Sequence, residues 1–387
     1  MASIIKIPAP DAPGVVVFTT QERDHIIHQD PETARAVEAL KKRWVIGLHH
    51  NWHDWSFNYD PLFDFSMAGE GDLIEVDGKP FERLPMDACN FVPESFYPAR
   101  GEKFWDILYV ARAVSFKRIP EFFQAVRELY DRGHMYRVLL ISPVPPYQKG
   151  EEKTVFYEIR KVYDEMFSDH EQNLFTLMTI EYRYPFPFDL PTLAHFYRSS
   201  RTFVHFADQE RRCRVAAYAW ATGLPVIGME SVVSLLPGDL AGEPGYYRVK
   251  DYEAFPDTIV RALENPPEPA AMEPYRKLFT SSFAREQFKV ELKKVFDAKG
   301  KTFEPRDMAL EQLDIRLGRH HGRGDNPNSI NIPLIELARY LADVQPDELR
   351  PYMEQADPEI ALAADKFTPI VATPPSLMER LKARFGS

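Results

Sequence analysis

Cations and carboxylates gather at three places in this chain. In VARAVSFKR, residues 110–118, Arg112 and Lys117 flank a turn that follows the apolar run DILYVA. Backbone N–H groups at such a turn, with two cations beside them, suit a diphosphate; two side chains facing solvent fit the same spacing. In FADQERRCRVAAYAWATGLPVIG, residues 206–228, Asp208, Glu210, Arg211, Arg212 and Arg214 crowd ahead of a helical run closed by Gly223. Glu210 follows TFVHF, and a carboxylate beside a phosphate-binding turn can accept hydrogen bonds from sugar hydroxyls. The third place is HHNWHDW, which brings His49, His50, His53 and Asp54 together. His53 oriented by Asp54 suits proton handling; metal ligation and the polar lining of a lobe interface are the other readings of that cluster.

Both charged turns need strands to present them, and the pattern supplies these. From residue 106 to about 296, short β-rich runs alternate with helical ones, the pattern of βα units on a parallel sheet. DILYVA, RVLLIS, NLFTLMTI, TFVHF, LPVIG and YYRV read as strands, and IPEFFQAVRELYDRG reads as an amphipathic helix closed by Gly133. In such doubly wound sheets ligands bind beyond the carboxyl ends of the strands, where Lys117 and Glu210 fall. Residues 1–100 are less regular, with GVVVFTT and RWVIGL as strand candidates. The tail after 299 holds two helical runs, IPLIELARYLADV and DELRPYMEQA, and is expected to pack back on the first lobe.

Composition narrows the class. Apolar residues make up 44% of 387, enough for two cores of ordinary size. The formal net charge of −11 works against tracking a nucleic acid. Cys89 and Cys213 stand far apart in sequence, outside any zinc or disulfide pattern. The N-terminus lacks a secretory signal, and no apolar run reaches the ~18 residues of a membrane span. A cytoplasmic, soluble protein without a transmembrane segment is the expectation.

VARAVSFKRIPEFFQAV resembles the "VGRL…KG…LL.A" segment of family-4-type (group 1) retaining glycosyltransferases with the GT-B fold. QERRCRVAAYAWATGLPVI resembles their "E-x7-E-A-x-A-x-G-x-P-V-I" segment, with Glu210 on the first glutamate and Gly223, Pro225, Val226 and Ile227 on the turn and strand that follow. CNFVPESFYP, residues 89–98, is similar to their interlobe linker, and HD at 53–54 loosely resembles their "T.HD". The resemblance spans residues 90–265. It departs at Tyr218, which stands where the family's second glutamate grips the nucleotide ribose, and at Arg211 and Arg212, which replace a small glycine-containing segment.

The resemblance implies an α/β, GT-B-like fold of two Rossmann-type lobes with a reduced N-terminal lobe and a helical C-terminal tail. The expected division is an acceptor-side lobe at 1–100, a donor-binding lobe at 101–298 and a tail at 299–387. It further implies transfer of a sugar from a nucleotide sugar to a glycan, lipid-linked glycan or small-molecule acceptor, with retention and without a metal or resident cofactor. His53, Asp54 and Glu210 would be catalytic, and Arg112, Lys117, Glu210, Arg211, Arg212 and Tyr218 would hold the donor. Two alternatives stand beside this: an inactive glycosyltransferase-like binding or assembly protein, which Tyr218 and the short first lobe favour, and a DNA-base glycosyltransferase.

Overall fold

The computed structural model describes residues 3–50, 56–58, 60–68, 74–76, 82–99, 101–144, 151–181, 188–232, 235–236, 240–317, 320–321, 329–330, 332–353, 355 and 366. Two sheets organise them. The first runs in the order β1 (Ser3–Lys6), β2 (Gly14–Thr19), β3 (Trp44–His49), β5 (Phe65–Met67), β7 (Glu82–Leu84). β1 is antiparallel to β2, and the other neighbours are parallel. β4 (Ser56–Asn58) and β6 (Ile74–Val76) pair separately.

Strand side chains alternate between faces, so each face of the first sheet needs its own cover. Val16, Phe18, Ile46 and Leu48 join one core with Val37 of the helix Pro31–Ala39 and with Leu337, Leu341 and Leu349 from the tail. Val15, Val17, Val45 and Phe65 join another with Ala284, Phe288, Leu292 and Val295. Those last four lie on the helix Ser281–Ala298, which the sequence pattern assigns to the second lobe. Their spacing of three and four residues makes one apolar stripe, and that stripe lies on the first sheet. The first lobe is therefore short in sequence but three layers deep, because the chain beyond residue 280 supplies much of both outer layers. Trp44 Nε1 donates to Leu341 O at 2.9 Å and Arg316 donates to Ile4 O at 2.6 Å, fastening the tail to this lobe.

The second sheet has six parallel strands: β8 (Trp105–Val110), β9 (Val138–Val144), β10 (Phe175–Glu181), β11 (Ser200–His205), β12 (Val226–Met229) and β13 (Tyr246–Val249). Their spatial order is β10-β9-β8-β11-β12-β13. Winding starts at β8, proceeds outward to β10, then crosses back to β11 and continues the other way, the doubly wound order of a Rossmann lobe. The order reverses between β8 and β11, which pair directly. Gly223, at φ 84°, caps the helix Arg214–Thr222 and lets the chain turn into β12.

The chain crosses between lobes near residues 92 and 280, and the crossings touch. Val92 bridges Thr280, and Ser281 N donates to the Tyr97 hydroxyl at 2.9 Å. Phe91 packs into the first lobe while Val92 and Phe96 pack into the second, so the linker is anchored in both cores. No helix among the described residues is long and apolar enough to cross a membrane.

Candidate functional site

The turn after β8 and the turn after β11 meet at the reversal point of the second sheet. Asp208 N donates to Phe116 O at 3.3 Å, joining the two turns through their backbones. Arg118 adopts a left-handed conformation, φ 51°, immediately before the helix Ile119–Asp131, and its guanidinium grips Asp208, with Nε to Oδ2 at 2.6 Å. Deeper in, the Lys117 ammonium pairs with the Glu210 carboxylate. Both are nearly sealed from solvent, at 8% and 7% exposed. The Tyr109 hydroxyl, from β8, donates to Lys117 O and pins that turn from below.

Burial pushes the Glu210 carboxyl up, but the Lys117 charge and the His205 imidazole outweigh it and hold the group at about 2. His205, the last residue of β11 and fully buried, places Nε2 3.5 Å from Glu210 Oε2 and 3.4 Å from Cys213 Sγ. Burial holds its pKa below the usual histidine value, against the pull of Glu210. The ligand atoms of His205, Glu210 and Cys213 lie within 4.8 Å of one another, a grouping able in principle to hold a metal ion. Its chemistry argues otherwise. The Lys117 ammonium already pairs with Glu210, so a metal would have to displace that buried ion pair.

The sequence-derived candidates among the described residues divide among three places. Lys117 and Glu210 come together, with Arg112 half-buried on the same turn as Lys117. Arg211 and Arg212 lead away from them, toward the first lobe. Arg211, 1% exposed, donates to Ala68 O at 3.1 Å, and Arg212, left-handed at φ 55°, sets Nε 3.8 Å from Asp87 Oδ2. The Cys89 thiol donates to Arg212 O, adding a further link across the lobes. Tyr218 is 4% exposed, stacks on Phe96 of the linker at 4.0 Å, and donates its hydroxyl to Asp314 Oδ2 at 2.7 Å. A nucleotide contact there would have to displace both partners. His53 and Asp54 lie outside the described residues; His49 and His50, just ahead of them, are buried at the end of β3.

Three contributors escaped the motif reading. His205 looks like a core residue in FVHF, although a histidine at the end of a buried strand and five positions before Glu210 is a usable signal. Arg118 hides beside Lys117. Asp314 belongs to the tail, and nothing in its local sequence ties it to Tyr218.

No protein-family model matches the chain, and no curated protein matches it. Solved structures similar to it include an alpha,alpha-trehalose-phosphate synthase (UDP-forming) from Burkholderia xenovorans in complex with glucose-6-phosphate, at 16% identity and TM-score 0.39, over 49% of this chain and 43% of that one. Another is the pneumococcal O-GlcNAc transferase GtfA in complex with UDP and GlcNAc, at 14% identity and TM-score 0.43, over 68% and 55%. A third is the C-terminal domain of a glycosyl transferase group 1 family protein (LpcC) from Francisella tularensis, at 16% and 0.33, over 54% and 98%. The chain thus spans less than half of the first of these and little more than half of the second. Strand order in the second sheet, and not these likenesses, marks its lobe as doubly wound with the charged turns at the reversal point, and the first sheet adds a mainly parallel α/β lobe.

Proposed function

We propose that the chain is a GT-B glycosyltransferase of the family-4 type, which binds a nucleotide sugar at the second lobe and transfers the sugar to an acceptor held against the first. The observation that carries this reading is the buried Lys117–Glu210 pair at the reversal of β8 and β11, where doubly wound lobes bind their ligands. A donor diphosphate would draw Lys117 onto its oxygens, with Arg112 on the same turn, and release Glu210 to accept hydrogen bonds from the donor sugar. As the bond to the diphosphate breaks, negative charge grows on the leaving oxygen, and cations fixed beside it lower the barrier. These two cations do the work that would otherwise fall to a metal, so the reading needs neither metal nor resident cofactor. His53 with Asp54, contacting the donor sugar or acceptor hydroxyl, and retention of configuration both follow from the sequence resemblance alone. Closure about the paired crossings at Val92 and Thr280 would exclude water and limit donor hydrolysis.

Tyr218 favours a second reading. Its burial and its bond to Asp314 leave the position of the family's ribose-gripping glutamate without an accessible acceptor, as expected of a binding or assembly protein that has lost transfer. Nucleoside diphosphate release separates the two. The enzyme releases it from one of UDP-, GDP- or dTDP-sugars and loses that release in Lys117→Ala; a flat response across the panel supports the inactive reading.

A further inference from the structure

Two donors converge on one oxygen of Glu210. The Lys117 ammonium pairs with Oε2, and His205 Nε2 lies 3.5 Å from the same atom. That nitrogen must carry the hydrogen, since a bare lone pair facing a carboxylate would be repelled. Nδ1 is then the unprotonated side of a neutral ring, in keeping with its burial without a hydrogen-bond partner among the described residues. At 3.5 Å the imidazole stands at the outer limit of a hydrogen bond, and Cys213 Sγ shares its Nε2 at 3.4 Å. The ammonium holds the oxygen, and the imidazole stands in reserve behind it.

The two donors differ in how far they can move. Lys117 reaches Glu210 from a turn, on a flexible aliphatic stem. His205 is the last residue of β11, fully buried, with its backbone paired to Gly228 of β12. The Tyr109 ring meets its imidazole edge-on, centroids 6.2 Å apart, while the hydroxyl of the same tyrosine holds Lys117 O. An incoming anion can therefore turn the lysine side chain while the histidine stays. Taking the cation from so deeply buried a carboxylate is costly unless another donor replaces it. A carboxylate is a far stronger acceptor than a thiol, so an Nε2–H shared between Glu210 and Cys213 goes to Glu210 once the ammonium has left.

We infer that His205 is a positioning residue for Glu210: it takes over Oε2 when Lys117 turns to the donor diphosphate, and it leaves Oε1 to meet a hydroxyl of the donor sugar. The inference rests on the glycosyltransferase reading for the diphosphate. Without the imidazole, each binding event would strip a buried carboxylate of its partner, and nucleotide affinity would fall although no contact with the nucleotide had been lost.

Isothermal titration of UDP, GDP and dTDP into the full chain tests this, with His205→Leu, His205→Asn and His205→Gln each made alone and in a Glu210→Gln background. Glutamine sets an amide N–H as many bonds from Cβ as Nε2 is, asparagine falls one bond short, and leucine has no donor. For the nucleotide that binds the wild type, His205→Leu and His205→Asn should each lose about tenfold or more in affinity, while His205→Gln should stay within about threefold. In the Glu210→Gln background no buried charge awaits a partner, and the same two losses should shrink to within about threefold. His205→Asn keeps the ring's polarity and carries the test if His205→Leu does not fold. Full affinity in His205→Leu and His205→Asn, or an equal loss in His205→Gln, overturns the inference and leaves the donor reading standing. So does a loss that persists in the Glu210→Gln background, since it makes His205 a structural residue only. Binding of none of the three nucleotides by the wild type removes the donor reading and the inference with it.

Discussion

Lys117 and Glu210, 93 residues apart in sequence, form one buried ion pair at the point where the second sheet reverses its winding. Such a pair is worth little against two well-packed apolar residues, yet removing one partner leaves a charge uncompensated. Lys117→Met and Glu210→Leu should each lower the unfolding free energy by about 3 kcal/mol or more, while the double variant recovers much of the loss. Urea denaturation of the four proteins checks this, and simple additivity would mean the two side chains are not coupled.

Acid sensitivity follows from the same carboxylate. In the unfolded chain Glu210 takes up a proton near its ordinary value of 4.5, whereas in the folded protein it resists until about 2. Its contribution to stability is therefore whole above 4.5 and drains away as pH falls toward 2. The stability gap between the wild type and Glu210→Gln should narrow across that window in denaturation curves at stepped pH. A constant gap would show that the carboxylate is not held down.

His50 titrates with the same sign at higher pH. Its folded-state pKa is depressed, first by burial and then by Arg23, so the unfolded chain binds a proton below about 6.5 that the folded protein refuses. The stability it contributes is present above 6.5 and declines below it. His50→Gln should flatten the slope of stability against pH just below 6.5, and an unchanged slope would place the imidazole elsewhere.

Tyr218 and Asp314 join the helix behind the site to the tail that covers the first lobe. Tyr218→Phe keeps the stack on Phe96 and removes one hydrogen bond to a carboxylate, which should cost about 1.5–3 kcal/mol. Tyr218→Glu, which restores the family's residue type, should cost more, because it sets a second carboxylate against Asp314 in the core. Thermal unfolding ranks the three proteins, and a stable Tyr218→Glu variant would contradict the placement.

How much of this was legible in the sequence differs between the lobes. DILYVA, RVLLIS and TFVHF announced β8, β9 and β11 because buried parallel strands read as continuous apolar runs, and Gly133 and Gly223 marked helix ends through their positive φ. The first lobe hid its construction. Phe288, Leu292 and Val295 form a stripe that suits either sheet, and only the crossing at Thr280 decides which one they cover. At the site, the types and spacing of Lys117 and Glu210 sufficed, but the direction of Arg211 did not follow from its neighbours. A left-handed Arg212 turns the chain just after it, a backbone choice that an arginine does not advertise.

The first lobe's dependence on the C-terminal chain has its own consequence. Phe288→Ala and Leu292→Ala empty space beneath Val15, Val45 and Phe65 and should each cost about 2–5 kcal/mol, although neither residue lies near the charged turns. A chain ending at residue 280 should fail to give a cooperative unfolding transition for the first lobe. Cooperative melting of that fragment would show that the first sheet stands without the helix Ser281–Ala298.

The central claim is that the Lys117–Glu210 turn pair receives the donor diphosphate. Isothermal titration with the nucleoside diphosphates UDP, GDP and dTDP tests it most directly, on the wild type and on Lys117→Ala confirmed as folded. One of these ligands is predicted to bind the wild type saturably and to lose at least tenfold in affinity without the lysine. No binding by any of the three, or binding undiminished in Lys117→Ala, would contradict the claim.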